Sequence, residues 1–352
     1  MENKIKVGIW GLGHAGNCIH ISEIGKYSDM FEVVAGCDHD PSRLDAARTR
    51  CPNARFYLDS KEFLQDAEVE LVTVATRSPD HVKHAIAAVE AGKMVLVEKP
   101  IAVTYEDALT LKALAEANPG KVYIRHNRRF ESAFAHIRDI IRSGKLGHVF
   151  EIKLCRDSFQ WRTDWQTIQS AGGGQLLNWG PHLVDHALQL LESPVKSCWS
   201  DLKLGAARGD AEDHVKIIFV GENKRVIDIE ISGCAPIPES TYTVRGTRGS
   251  LVSRDSKIEL KYLNPAMPEE TAPASLDNPP LGGSFGGAMV PVWCEDVLTV
   301  APAGGDDPTK MWVHLYNAIR KGIPYPITIE QAVEVVRWID YVKKNSPVDD
   351  VR

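Results

Sequence analysis

The chain has 352 residues, of which 43% are apolar and 25% charged, with a formal net charge of -6 at pH 7, enough for about two domains with sizeable cores. The mild acidity excludes nucleic acid or an anionic membrane as the main partner, because both require clustered Lys and Arg, and the basic stretch RHNRRF at 125–130 is too short to change that. No apolar run approaches the roughly 18 to 20 residues of a membrane span, and MENKIKVGIW enters a strand pattern with no signal-peptide core, so a cytoplasmic address is expected.

Up to residue 124, short β-branched runs alternate with helical patterns. IKVGIW (5–10), FEVVAGCD (31–38), LVTVAT (71–76), MVLVEKP (94–100) and VYIRH (122–126) are nearly continuous apolar strands, as expected of a parallel sheet covered on both faces. The intervening DHVKHAIAAVEAG and TYEDALTLKALAEANPG have helical spacing, with Thr104 or Tyr105 near an N-terminus and Gly92 and Gly120 as stops. The fold class is α/β, with a doubly wound Rossmann domain predicted over residues 1–124.

After the first strand comes GLGHAG, with Gly11, Gly13 and Gly16 in GxGxxG register and His14 and Ala15 between the last two glycines. Gly11 permits the tight turn, Gly13 lets the backbone approach a pyrophosphate, and Gly16 lets the helix close on the strand. Asp38 ends the second strand, where a carboxylate accepts both ribose hydroxyls. It would repel a 2'-phosphate, so NAD is expected and NADP is the weaker expectation. Arg43 is the residue that opposes this reading, its alternative being a solvated helix side chain. Thr76, Arg77 and His81 follow the third run near where such folds place nicotinamide, although His81 would serve equally as a helix cap. The fourth run ends in Glu98, Lys99 and Pro100 at the carboxyl edge of the sheet, where ligands of such folds bind. An X-Pro bond there can be cis and would fix the direction of Lys99.

From residue 125 the pattern changes. VFEIKLCRD (149–157), HVKIIFV (214–220), RVIDIEISG (225–233), TYTVRGTRGSLVS (241–253) and KIELKYL (257–263) alternate apolar and polar residues, which predicts an open, mostly antiparallel sheet in an α+β domain over 125–352. Residues 264–309, rich in Pro, Gly and acidic residues, read as a long excursion or lid. In AGGGQLLNWGPHLVDHALQLL a helical stripe of Leu183, Val184, Ala187, Leu188 and Leu191 follows Pro181, which suits a first turn. His182 then projects from that turn, Asp185 lies three residues on and His186 one turn below. Upstream, FQWRTDWQT (159–167) sets aromatic rings beside Arg162 and Asp164. Trp161 with these two suits a sugar ring, which has apolar C-H faces and a rim of hydroxyls; the alternative is a packed surface loop.

Taken together, GIWGLGHAG, CDHDPSRL, the run ATRSPDHVKHAIAAVEAGKMVLVEKPIAVTYEDA, NRRF, GGGQLLNWGPHLVD and IRKGIPYPITIEQAVEVV resemble the glucose-fructose oxidoreductase, inositol dehydrogenase and rhizopine-catabolism (Gfo/Idh/MocA) family along nearly the whole chain. The resemblance implies an NAD(P)-dependent fold whose open sheet commonly forms a homodimer or homotetramer. It also implies that Lys99 and His182 surround the carbon that is oxidised, the histidine taking the hydroxyl proton and the lysine holding the oxygen, with Arg128 and Glu98 in the substrate and cofactor surroundings. The family's aspartate, four residues before the histidine, falls on Asn178, and this is a departure. Asparagine cannot stabilise an imidazolium by charge, so His182 should be a weaker base. Asp185 is a candidate substitute, unless the helix turns it to the interior.

The expected function is therefore oxidation of a secondary hydroxyl of a sugar, cyclitol or derivative. Two alternatives stand beside it: cleavage of a glycoside through transient oxidation with recycled NAD, and a non-catalytic NAD- or sugar-sensing protein. The seven cysteines show no CxxC spacing, so neither a metal site nor a disulfide framework is expected.

Overall fold

The computed structural model describes residues 4–268, 276, 290–300 and 309–352. Its first sheet is wholly parallel, with β1 (Ile5–Trp10), β2 (Phe31–Cys37), β3 (Arg55–Tyr57), β4 (Leu71–Val74), β5 (Met94–Val97) and β6 (Val122–Ile124) in the order β3-β2-β1-β4-β5-β6. The predicted runs become strands because both faces are covered; every residue of β4 is buried. The edge strand β3 has no apolar run and was not legible in the sequence. The order reverses between β1 and β4, which places a ligand crevice at their carboxyl ends. The helices Pro41–Arg48, His81–Glu90 and Tyr105–Ala117 pack on this sheet. Thr104 caps the last of these by accepting from Asp107 N at 3.1 Å.

Among the described residues the second sheet holds nine strands: β7 (Val149–Asp157), β8 (Val195–Leu204), β9 (His214–Gly221), β10 (Val226–Ser232), β11 (Tyr242–Gly246), β12 (Gly249–Arg254), β13 (Lys257–Leu263), β14 (Trp293–Thr299) and β15 (Val348–Asp350). Their order is β14-β13-β12-β11-β7-β10-β9-β8-β15, open at both ends and antiparallel except at β7/β10 and β8/β15. The run 241–253 is a hairpin, because RGTRG turns the chain between β11 and β12. One correction falls on the 264–309 excursion. Its part 293–299 is a strand paired with the whole of β13. The alternation of exposed Trp293, Glu295 and Val297 with Cys294 and Leu298 was hidden among Pro and Gly. Residues 269–275, 277–289 and 301–308 of that excursion lie outside the described residues.

The helices Gly180–Leu191 and Ile329–Asn345 cover one face of the second sheet, where Leu183, Val184 and Ile339 join Ile152, Leu154, Ile217 and Ile229 in one core. The segment 125–352 also reaches the first sheet. Trp312, Met311 and Leu315 of the helix Lys310–Lys321 pack with Ile5, Val7 and Phe31, and Ala332 and Val333 pack with Val72 and Val95. All seven cysteines are free, and among the described residues no group of His, Cys, Asp or Glu is arranged to hold a metal ion. Among the described residues no helix is long and apolar enough to cross a membrane.

Candidate active site

The glycine loop leaves β1 with Gly11 at φ +97°, where a Cβ would lie 2.6 Å from the carbonyl oxygen of Ala75. A Cβ at Gly16 would collide with the Gly11 oxygen. Only Gly13 is open, its nearest neighbour being Arg43 Nη1 at 3.8 Å from a built Cβ. The helix that follows begins with a π-helical turn, His14–His20, so the N-H groups of His14 and Ala15 stand at a helix start. Asp38, only 5% exposed, accepts from Leu12 N at 2.8 Å and Asp40 N at 3.1 Å, and Arg43 Nη1 lies 3.3 Å from its Oδ2. An open backbone approach, unpaired helix N-H groups and a buried carboxylate at the end of β2 fit a dinucleotide. The Leu12–Asp38 bond, which ties the loop to β2, has no signature in the sequence.

At the end of β5 the carboxylate of Glu98 is buried. It accepts from His20 Nε2 and Arg125 Nη1, each at 2.9 Å, and from Lys99 N at 3.0 Å. The Lys99-Pro100 bond is cis. Lys99 Nζ donates to the main-chain oxygen of Asn178 at 2.9 Å. Burial pushes its ammonium down to about 8 against the opposing pull of Glu98, and the charges of Arg125 and Arg128 lower it further. His81 is buried, its Nδ1 2.7 Å from the Pro100 oxygen and its Nε2 3.1 Å from the Thr76 oxygen, so neither ring nitrogen is left for a cofactor. Thr76 Oγ1 meets His84 Nδ1 at 2.9 Å, and the Arg77 guanidinium lies over the Trp165 ring.

The helical segment facing Lys99 breaks at Trp179 into two pieces, Gln175–Asn178 and Gly180–Leu191. His182 in the first turn of the second piece is 6% exposed, and its Nδ1 is buried with no hydrogen-bond partner. Burial first, then the charges of Lys99 and Arg128, hold it well below the ordinary imidazole range. The weakened base expected from Asn178 thus has a larger physical cause in desolvation. Asp185 does not orient His182: it turns inward and takes Arg129, with Nε to Oδ2 at 2.8 Å. The helix geometry decides this, since Arg129 sits on the 3-10 turn Asn127–Phe130 beneath it. His186 bonds Tyr242 Oη and the Arg128 oxygen. Two guanidiniums lie over Trp179, Arg128 with its Cζ 4.5 Å from the ring centroid and Arg156 at 4.1 Å.

Comparison with known proteins identifies this assembly. Residues 5–126 match the oxidoreductase family with an NAD-binding Rossmann fold, and residues 134–252 match the Gfo/Idh/MocA C-terminal domain. The chain belongs to the Gfo/Idh/MocA family. It is an NAD(P)-binding oxidoreductase. An uncharacterized oxidoreductase, YdgJ of Escherichia coli, is 29% identical over 97% of this chain and 96% of its own. The scyllo-inositol 2-dehydrogenase (NADP(+)) IolW of Bacillus subtilis is 24% identical over 98% and 94%. The fold also matches the WlbA dehydrogenase of Bordetella pertussis, solved with NADH and UDP-GlcNAcA, at TM-score 0.75 and 19% identity over 98% of this chain and 96% of that one.

On this Gfo/Idh/MocA scaffold the aromatic loop before the glycine run closes on itself. Arg162 forks onto Asp164 with two bonds of 2.9 Å, while Trp161 is 69% exposed and pairs edge-on with Phe159. Arg162 also lines a small cleft with Gln160, Gln166, Gln175, Asn178 and Glu212. Glu212 is buried, accepts from Leu176 N at 3.0 Å, and is pushed up to about 7 by that burial. Its carboxylate occupies the space a side chain at Gly174 would need, which accounts for a glycine there. Sequence reasoning missed Glu212 and Arg156, because each comes from a strand or loop that only the fold brings to this helix.

Proposed function

We propose that the protein transfers hydride between NAD(H) and a secondary hydroxyl or ketone of a sugar, cyclitol or derivative, with Lys99 and His182 at the reacting carbon. The observation that carries this reading is the convergence of Lys99, from the edge of the dinucleotide-binding sheet, on the Asn178 carbonyl one turn before His182. Lys99 and His182 are the acid-base pair. Lys99, pushed down to about 8, has the basicity nearer neutral pH and so exchanges the hydroxyl proton most effectively. His182, kept neutral by its surroundings, holds the substrate oxygen. The nicotinamide, when bound, supplies the hydride acceptor or donor.

Gly11, Gly13, His14, Ala15 and Gly16 would hold the pyrophosphate, Asp38 the ribose, and Thr76 and Glu98 would border the nicotinamide end. NAD is the preferred cofactor because the buried Asp38 carboxylate at the end of β2 would accept the ribose hydroxyls, and Arg43 beside it would govern how far NADP is tolerated. IolW is named as NADP-linked, which makes Arg43 the residue to test. Arg128, Trp161, Arg162, Asp164 and Asn178 border the substrate. The open face of the second sheet, which carries exposed Trp199 and the ion pairs Lys216–Asp228 and Arg245–Glu151, is the proposed surface for a homodimer or homotetramer.

The test is a panel of sugars and cyclitols with each cofactor, read at the reduced-nicotinamide absorbance with product analysis beside it. Net formation of reduced cofactor with a ketose or inosose product supports the reading. Cleavage of a glycoside with no net reduced cofactor would overturn it.

A further inference from the structure

We infer that Arg156, together with Arg128, forms a recognition site for an anionic substituent, a carboxylate or phosphate, carried by the substrate of the Lys99–His182 site. The inference rests on the proposed oxidoreductase reading and narrows its substrate class.

The argument starts in β7. Side chains alternate along a strand, so Ile152, Leu154 and Arg156 share one face. The first two are buried in the core. Across the ladder with β10 this row pairs Ile152 with Ile227, Leu154 with Ile229 and Arg156 with Ile231. A guanidinium therefore ends a row of isoleucine and leucine, on the core-side row of the strand but at its exposed end. Asp157, the next residue, belongs to the opposite face and accepts from Glu239 N at 3.0 Å.

Among the described residues the Arg156 side chain has no carboxylate within ion-pair distance and no hydrogen bond; its guanidinium lies over Trp179, its Cζ 4.1 Å from the ring centroid. The same ring carries Arg128 at 4.5 Å. Arg128 is paired to Glu131 through Nη1 alone, and the third cation, Lys99, spends its bond on a neutral carbonyl. Three positive side chains thus converge on the segment 178–182, with Glu131 paired to Arg128 and Asp157 acting on Arg156 without an ion-pair contact. Burial, then the charge of Arg128, pulls Arg156 below its ordinary value against the opposing charges of Glu131 and Asp157.

Stacking on an indole fixes the guanidinium plane and leaves its N-H edge free to fork onto two oxygens of one acid group. A neutral polyol would offer this pair no charge to offset their repulsion. A carboxylate or phosphate would do so while presenting a neighbouring carbinol to Lys99 and His182.

The test uses the full chain saturated with NAD+ and titrated calorimetrically with D-glucuronate, D-glucose 6-phosphate and D-glucose, with turnover followed in parallel. The expected result is that an anionic sugar binds about tenfold or more tighter than glucose. Arg156→Leu should erase that preference without changing NAD+ affinity, and Arg156→Lys should keep part of it. Which anion wins assigns carboxylate or phosphate. Equal binding of glucose and both anions, or no binding of either anion at millimolar concentration, overturns the inference, as does an anion preference that survives Arg156→Leu. Should Arg156→Leu fail to fold, Arg156→Gln and competition by inorganic phosphate on the unmodified chain decide the same question. An anion preference without turnover on any sugar would leave this site standing and count against the oxidoreductase reading instead.

Discussion

Lys99 Nζ donates its 2.9 Å hydrogen bond to the main-chain oxygen of Asn178, so the lysine is anchored by backbone and not by the side chain that departs from the family pattern. Asn178→Asp should therefore keep Lys99 in place while adding a negative charge beside the acid-base pair. An opposite charge at that range raises the pKa of a base by on the order of one unit. The rising limb of kcat/KM against pH for oxidation, centred on the deprotonation of Lys99 at about 8, should move up accordingly, with a higher plateau above it. An unmoved profile would mean that the side chain at 178 does not face the pair.

Glu98 ties the first sheet to the C-terminal helices. It accepts from Arg125, whose other arm reaches Glu23 Oε2 at 2.7 Å, and the same oxygen takes Trp312 Nε1 at 2.7 Å. Burial alone would raise the Glu98 pKa, but Arg125 and His20 overcome it and hold the carboxyl well below its usual range. A depressed folded pKa gives stability that is present above the unfolded value and lost as pH falls through the folded one. Glu98→Gln should cost roughly 3 kcal/mol at neutral pH, because it leaves Arg125 short of a counterion. Urea denaturation from neutral to acid pH should then show less loss of stability in the variant than in the parent.

Glu212 works in the opposite direction. Its carboxyl is raised to about 7 by burial, with the Leu176 N-H opposing and Lys343 and Asp213 acting at longer range. Between about pH 4.5 and 7 the folded chain keeps a proton that the unfolded chain has released, so stability falls as pH rises through that window, by roughly 3 kcal/mol in all. Glu212→Gln should flatten this slope in denaturation curves taken across that window. A slope unchanged by the substitution would assign it to another group.

Much of this arrangement is written locally. IKVGIW, VFEIKLCRD and KIELKYL become strands with the bounds their patterns predict, and GLGHAG and EKP follow the carboxyl ends of β1 and β5. What escaped depends on distant partners. The first half of β8, VKSCWSDLKL, is half-exposed and mixes Ser and Lys with apolar residues, so its pairing with β9, not its composition, makes it a strand. Asp185 looked available to His182 along the helix, yet Arg129, 56 positions away, claims it. Arg156 reads as a strand-end charge until Trp179 is set against it.

In the proposed reading cofactor choice follows from the Asp38–Arg43 pair, 3.3 Å apart. Asp38→Ser should weaken NAD+ binding by about tenfold or more, the loss expected for hydrogen bonds to a charged group, and should improve NADP+ relative to it. Arg43→Ala should weaken NADP+ with little effect on NAD+. Fluorescence titration of both reduced cofactors checks this, and a fall in NAD+ affinity with Arg43→Ala that matches the fall for NADP+ would contradict the assignment.

The most direct measurement is a single-turnover rate of cofactor reduction by a sugar or cyclitol alcohol, which is oxidised to its ketone as NAD+ takes the hydride, in Lys99→Met and His182→Ala, with cofactor affinity measured on the same samples. General acid-base catalysis contributes about 10²–10⁴-fold. Both variants should lose that much of the rate while binding cofactor as the parent does. Rates equal to the parent's at unchanged cofactor affinity would contradict the account.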